Sequence, residues 1–194
     1  MIDTATYQVT TIPTAAGPRR LAISPAGDRV FVTNNNADSV SAIDTQTQQV
    51  IATIPVGHKP RGIAITPSGD AIYVGNVQSG TVSIIDSSTL TVIDRIAVGI
   101  EPWQVIITED GTLAFVSSSV SGTVSVIDTA TRTVITTLMT GNGSFFSAIN
   151  PDGTKFYVSN SNETTVTVVD IPSLTVLDVI PDVGSYPFDM AFGP

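Results

Sequence analysis

The hydrophobic positions of this chain fall in short stretches that lack a helical period of 3.6 residues. Adjacent pairs of apolar residues recur within them, as in Phe31-Val32 and Val50-Ile51. Because successive side chains of a strand point to opposite faces of a sheet, such pairs predict strands that are buried on both faces. Polar turns rich in Gly, Pro and Asp separate the stretches. The pattern therefore predicts an all-β protein built from short strands.

The pattern repeats every 42 residues, as the spacing of one turn glycine shows. The repeated glycines are Gly27, Gly69, Gly111 and Gly153. In the second copy the pattern predicts four strands, at residues 61–66, 71–76, 81–86 and 90–96. A four-stranded sheet that is covered on both faces by copies of itself is a blade of a β-propeller. We therefore predict a β-propeller of four-stranded antiparallel blades, with four full blades and partial blade strands at both ends.

The repeat also predicts the organisation of residues 1–194, as a single propeller domain or segment. The predicted pieces are a partial blade at 1–17, full blades at about 18–59, 60–101, 102–143 and 144–186, and the inner strand of a next blade at 187–194. Because the terminal pieces together lack a second strand, two alternatives stay open. The chain is a segment of a longer propeller, or it is a half-ring that a second copy completes. Both leave apolar blade faces and strand edges that favour self-association.

Four tetrads at the end of the second strand of each repeat carry a family resemblance. They are Phe31-Val32-Thr33-Asn34, Tyr73-Val74-Gly75-Asn76, Phe115-Val116-Ser117-Ser118 and Tyr157-Val158-Ser159-Asn160. They resemble the tetrad of the YVTN family of β-propeller repeat proteins, and the third has lost its Asn. The chain is also similar to lactonase-type seven-bladed propellers, some of which are enzymes. The resemblance implies the propeller fold and an extracellular, cell-surface or periplasmic location. The first residues, MIDTATYQ, are polar and predict no signal peptide in this chain.

Composition narrows the range of functions. Thr, Ser, Val and Ile make up 91 of the 194 residues, which favours strands. Cysteine is absent, so disulfides and thiol chemistry are excluded. The net charge of −9 argues against nucleic acid as a partner. No apolar run has the length of about 18 residues that a membrane helix needs, so membrane insertion is not expected. With a single histidine, no metal site and no cofactor are predicted.

Candidate binding residues lie on the rim formed by the loops that lead into the inner strands and the loops between second and third strands. On this loop rim, the position after the proline of each inner strand varies most between repeats. We predict a weak ligand-binding site at Arg19, His58, Arg61, Glu101, Trp103 and Phe145. The arginines suit an anionic ligand, and the aromatic rings suit stacking on a flat one. His58 is the side chain whose unperturbed pKa lies near neutrality, and Glu101 follows in the next repeat.

These observations favour a non-enzymatic interaction scaffold that binds a protein, a glycan or a small-molecule ligand on the loop rim. The absence of a catalytic constellation motivates this prediction, which leans against an enzyme. One alternative is a lactonase-like propeller hydrolase that acts on a small acidic substrate, with His58 or Glu101 as its base. Another is a purely structural cell-surface repeat segment. Fold alone does not decide between them.

Overall fold

The computed structural model describes residues 1–187 and Phe192. Sixteen strands in these residues form four antiparallel sheets of four strands, and each sheet follows the order of the chain. This confirms the predicted fold class, an all-β propeller arrangement with four full blades. Within the described residues, no helix has the length and hydropathy needed to cross a membrane.

The strands of the four blades have the following bounds. Blade 1 contains β1 (Pro18–Ile23), β2 (Arg29–Asn34), β3 (Ser39–Asp44) and β4 (Gln49–Pro55). Blade 2 contains β5 (Pro60–Ile65), β6 (Ala71–Asn76), β7 (Thr81–Asp86) and β8 (Thr91–Ala97). Blade 3 contains β9 (Pro102–Ile107), β10 (Leu113–Ser118), β11 (Thr123–Asp128) and β12 (Thr133–Met139). Blade 4 contains β13 (Ser144–Ile149), β14 (Lys155–Asn160), β15 (Thr165–Asp170) and β16 (Thr175–Ile180).

The repeated aspartates act in the turns between the third and fourth strands. In blade 2, Asp86 Oδ1 accepts the backbone N–H groups of Ser88 at 2.9 Å and Thr89 at 2.8 Å. The hydrogen bond from the Ser88 hydroxyl, together with these two backbone bonds, lowers the pKa of Asp86 to about 2. Leu90 follows with a φ of 56°, in the left-handed region. The outer strand of this blade therefore begins at Thr91, one residue later than the sequence pattern predicted.

The hydrophobic core lies between the blades, because both faces of each inner blade are apolar. Separate buried clusters join blades 1 and 2, blades 2 and 3, and blades 3 and 4. Between blades 3 and 4, Phe115 stacks on Phe156 with ring centroids 4.6 Å apart. Both rings are fully buried. The aromatic residues of the first three tetrads, Phe31, Tyr73 and Phe115, thus pack between neighbouring blades.

The terminal pieces differ in how much of them the structure describes. Residues 1–17 contain a hairpin, in which Ile2 and Val9 form an isolated antiparallel bridge. Its turn contains the same kind of aspartate hydrogen bond, since Asp3 Oδ1 accepts the backbone N–H of Thr6 at 2.8 Å. The inner strand predicted at 187–194 lies outside the described residues, apart from Pro187 and Phe192. The ring of Phe192 lies 5.2 Å from that of Tyr157 in an edge contact.

Candidate functional site

The four inner strands lie side by side, and each contains an irregularity near its first residues. In blade 1 the pairing register shifts between Pro18 and Leu21, and in blade 2 it shifts between Pro60 and Ile63. Blades 3 and 4 have corresponding shifts. Such bulges bend a strand and redirect side chains. The residues at these bulges are Arg19, Arg20, Arg61, Gly62, Trp103, Phe145 and Phe146.

Arg61 and Trp103 form the centre of the site. The Arg61 guanidinium carbon lies 3.4 Å from the centroid of the Trp103 ring, a close cation–π stack between blades 2 and 3. Burial lowers the pKa of Arg61 to about 10, and the positive charges of Arg19 and Arg20 act in the same direction. Arg61 therefore stays protonated at neutral pH, but in an environment that disfavours its charge.

Two phenylalanines of blade 4 extend the site. The ring of Phe145 meets Trp103 edge to face, with centroids 4.8 Å apart. Phe146 is 3% exposed, and the Arg20 guanidinium of blade 1 lies 5.0 Å from the centroid of its ring. Arg20 of blade 1 thus contacts Phe146 of blade 4, so the first and last full blades meet at this cluster. We name this group the arginine–aromatic cluster, and its members are Arg19, Arg20, Arg61, Trp103, Phe145 and Phe146.

Among the described residues, the guanidinium groups of the cluster have no carboxylate partner. The one ion pair there with nitrogen and oxygen within 4.0 Å joins His58 and Asp38. Arg61 and Arg20 instead lie against aromatic rings, and the charges of Arg19 and Arg20 act on Arg61, although the chain as a whole carries a net charge of −9. A site of local positive charge in an acidic protein attracts small anions.

Backbone contacts hold the inner strands in place. The Thr33 hydroxyl accepts the backbone N–H of Arg20 at 3.1 Å and donates to the backbone carbonyl of Arg61 at 3.1 Å. A Cβ at Gly62 would lie 2.8 Å from Cα of Gln104, so only glycine allows β5 to approach β9 this closely. Gln104 Oε1 accepts the backbone N–H of Ser147 at 2.7 Å. Hydrogen bonds thus join blade 1 to blade 2 and blade 3 to blade 4, and the close approach at Gly62 brings blades 2 and 3 together.

His58 and Glu101 do not pair with each other. His58 Nδ1 lies 2.7 Å from Asp38 Oδ2, and the His58 side chain is 72% exposed. The backbone N–H of Lys59 and the His58 ring lower the pKa of Asp38. Glu101 Oε2 instead accepts the Ser119 hydroxyl at 3.1 Å. Of the six predicted residues, the structure brings together Arg19, Arg61, Trp103 and Phe145, and it gives His58 and Glu101 other partners.

Sequence reasoning missed Arg20, which follows Arg19 and would point to the opposite face of a regular strand. The bulge at β1 removes that alternation and allows the Arg20 side chain to contact the Phe146 ring of blade 4. The signal in the sequence was the Arg19-Arg20 doublet at a strand start. A second missed feature is Trp103 Nε1, which is buried and has no hydrogen-bond partner among the residues that the structure describes. Within the same residues, no group of three or more His, Asp or Glu side chains is arranged to hold a metal ion.

Two family models match the chain. One is described as a YNCE-like beta-propeller and matches residues 64–180. The other is described as a lactonase, 7-bladed beta-propeller, and matches residues 3–91. These matches confirm the resemblance to propeller repeats of the YVTN type. No curated protein matches the chain.

Solved structures with the same fold include three propellers. Hydrazine synthase of Kuenenia stuttgartiensis has a TM-score of 0.80 and 29% identity, over 89% of this chain and 51% of that chain. A functionally unknown protein from Desulfotomaculum acetoxidans has a TM-score of 0.75 and 19% identity, over 92% of this chain and 62% of that chain. Dihydro-heme d1 dehydrogenase NirN in complex with DHE has a TM-score of 0.73 and 17% identity, over 88% of this chain and 39% of that chain. The last two likenesses show the fold alone, and the chain spans less than two thirds of all three structures.

Proposed function

Because the chain belongs to the YNCE-like β-propeller family, we propose that it is a binding scaffold whose ligand site is the arginine–aromatic cluster. The observation that carries this proposal is the contact of Arg61 with the Trp103 ring and of Arg20 with the buried Phe146 ring, close to the charge of Arg19, with no carboxylate partner among the described residues. Like charges in a half-buried site oppose one another, and a purely structural cluster gains little from them. A ligand that brings acceptors and apolar surface to this point removes that cost. Arg and Trp are also the residue types most enriched in binding hot spots.

The location of the cluster supports the same function. It lies at the bulges of the inner strands, whereas the repeated turn aspartates and the tetrad aromatics serve folding. Sequence differences between repeats are therefore concentrated where blades converge. Binding residues of repeat architectures often lie on such variable positions of a constant scaffold.

The test is a ligand screen on the purified chain and on two arginine variants. Organic acids, sugars and aromatic metabolites are screened by thermal shift on wild type, Arg61→Met and Arg95→Met. Arg95 lies on the outer strand β8 and is exposed, so Arg95→Met is the matched control. We expect compounds that raise the melting temperature of wild type and of Arg95→Met but not of Arg61→Met. Compounds that stabilise all three proteins equally, or none at all, would contradict the assignment of the site.

The second candidate function is a lactonase-like hydrolase, which the match of the lactonase model to residues 3–91 favours. The matched residues include Arg61 and the pair of His58 and Asp38. Under this alternative, Arg61 holds an acidic substrate and His58 acts as the base. The assay follows hydrolysis of glucarolactone, a lactone with a free carboxylate, by wild type, Arg61→Met and His58→Asn. Turnover by wild type that both substitutions abolish would establish the hydrolase. A wild-type rate no higher than the uncatalysed rate would contradict the hydrolase and favour the binding scaffold.

A further inference from the structure

The charges of the cluster restrict the ligand to an anion. The chain has six arginines, and three of them meet at this one point although acidic residues outnumber basic residues by 17 to 8. Guanidinium groups present paired N–H donors that match carboxylate and phosphate oxygens. Burial, and after it the repulsion by Arg19 and Arg20, lowers the pKa of Arg61 and so disfavours its charge in the free protein. An anion of more than one acidic group offsets that repulsion, and a neutral ligand does not.

The rings of the cluster restrict the shape of the ligand. The Arg61 guanidinium carbon lies 3.4 Å from the centroid of the Trp103 ring, and the Phe145 ring contacts Trp103 in a T-shaped arrangement. An aromatic face that already accepts a flat cation also accepts a flat conjugated ring by offset stacking. When the acidic groups of a ligand bind the Arg61 guanidinium and move it off Trp103, the ring of the ligand stacks on the Trp103 face in its place. A flexible chain of the same charge gains the ion pairs without this contact.

The Trp103 indole N–H provides a third and independent observation. Nε1 is buried and has no acceptor among the described residues, although buried donors are nearly always hydrogen-bonded. Among the described residues this donor is therefore unsatisfied. A ligand oxygen that lies in the plane of the indole beside Nε1 would accept this hydrogen bond. A ligand that carries such an oxygen together with acidic groups would satisfy the donor and offset the positive charges around Arg61.

We infer that the ligand of the arginine–aromatic cluster is a small planar molecule with two or more carboxylate or phosphate groups, and that it displaces the Arg61 guanidinium from the Trp103 ring. This inference rests on the proposed binding function. It goes further, because the binding function alone is equally compatible with a neutral glycan or a peptide. A long polyanion does not fit, since only three of the eight basic residues belong to the cluster and the chain as a whole carries a net charge of −9.

The experiment uses Trp103 as its reporter, because it is the single tryptophan of the chain. Three probes of similar size are titrated while indole emission is recorded. They are trimesate (a planar benzene tricarboxylate), tricarballylate (a flexible tricarboxylate) and the neutral benzene trimethanol. We expect trimesate to bind about tenfold more tightly than tricarballylate, with a shift of emission, and benzene trimethanol not to bind. Added salt should weaken the binding of both anions.

Variants assign the effect to named groups. Arg61→Met should weaken trimesate binding about tenfold or more and abolish the shift of emission, and Arg61→Lys should restore only part of the affinity because lysine lacks the fork of donors. Arg95→Met serves as the control and should bind trimesate like wild type. Circular dichroism establishes that each variant is folded. If Arg61→Met does not fold, Arg20→Met replaces it and should likewise weaken trimesate binding.

The outcomes separate the inference from the function on which it rests. Equal binding of trimesate and benzene trimethanol, or trimesate binding unchanged in Arg61→Met, would overturn the planar-anion inference. The binding function would still stand if the ligand screen finds compounds that depend on Arg61. Equal affinity for trimesate and tricarballylate would overturn planarity. If no probe binds and the ligand screen also finds no compound that depends on Arg61, both the inference and the proposed function fail.

Discussion

Replacement of Ser118 by Asn should stabilise the protein, because Ser118 occupies a place that three other blades fill with Asn. In blade 2, Asn76 Nδ2 donates to Thr81 Oγ1 at 3.1 Å and to Ser83 Oγ at 2.9 Å. Its Oδ1 accepts the backbone N–H of Gly57 at 3.1 Å. In blade 3, the fully buried Ser118 Oγ has no partner within the described residues.

The surroundings of Ser118 match those of Asn76. The glycine that precedes the inner strand is present at Gly99, as at Gly57, and the hydroxyl acceptors are present at Thr123 and Ser125. The loop geometry also matches, since the Ser121 hydroxyl accepts the backbone N–H of Ile100 at 3.1 Å. The corresponding bond in blade 2 joins His58 N–H to the Ser79 hydroxyl at 2.7 Å. The third blade therefore has a complete set of partners for an Asn side chain.

The expected gain is about 1–2 kcal/mol in the free energy of unfolding. Three hydrogen bonds contribute about 1 kcal/mol each, and ordering the longer side chain offsets about 1 kcal/mol of this sum. The midpoint of thermal unfolding of Ser118→Asn should rise by about 3–6 °C. The mirror variant Asn76→Ser should lose about 2–3 kcal/mol, since it leaves the Gly57 N–H unpaired.

Urea and thermal denaturation of both variants and of wild type provide the measurement, with circular dichroism as the signal. The reasoning is refuted if Asn76→Ser is destabilised as expected while Ser118→Asn unfolds at or below the wild-type midpoint. That result would mean that the Ser121 hydroxyl, which lies 2.9 Å from Thr123 Oγ1, already occupies the space that the amide requires.

The remaining predictions concern the core, the turns and the close approach of loops. Val116→Ala, at a fully buried position, should lower the free energy of unfolding in urea by about 2–3 kcal/mol. Val9→Ala, at a position 71% exposed, should lower it by about 0.5 kcal/mol. Equal losses would contradict the reasoning from burial. The pKa of Asp86 is lowered from 3.8 to about 2, so its charged form stabilises the fold above pH 3.8, and that contribution is lost as pH falls to about 2. Asp86→Asn should therefore flatten the acid dependence of the urea midpoint, and an unchanged slope would show that the carboxylate is not responsible. Gly57→Ala should lower the free energy of unfolding by about 1–3 kcal/mol, because the new Cβ would lie 2.6 Å from Asn76 Cγ. A midpoint of thermal unfolding equal to that of wild type would show that the loop accommodates the methyl group without strain.

The candidate site was predictable in part. The sequence pointed to Arg61, Trp103 and Phe145, because the position after the first residue of the inner strand varies most between repeats. It did not indicate that Arg20 also contributes, since that depends on the bulge at the start of β1. The suggested partnership of His58 with Glu101 rested on neighbouring repeats alone, and the structure places the His58 ring on Asp38 instead.

By itself, the sequence determined the repeat, the strands within it and the burial of both sheet faces. Those properties follow from local chemistry: alternation of side chains, turn aspartates that bind the N–H groups after them, and paired apolar residues such as Phe115-Val116. Only the tertiary structure decided which side chains of different blades meet, because that depends on the angle between sheets and on bulges that break the alternation. That packing produces the stack of Arg61 on Trp103, the contact of Arg20 with Phe146 and a buried indole N–H that has no acceptor among the described residues.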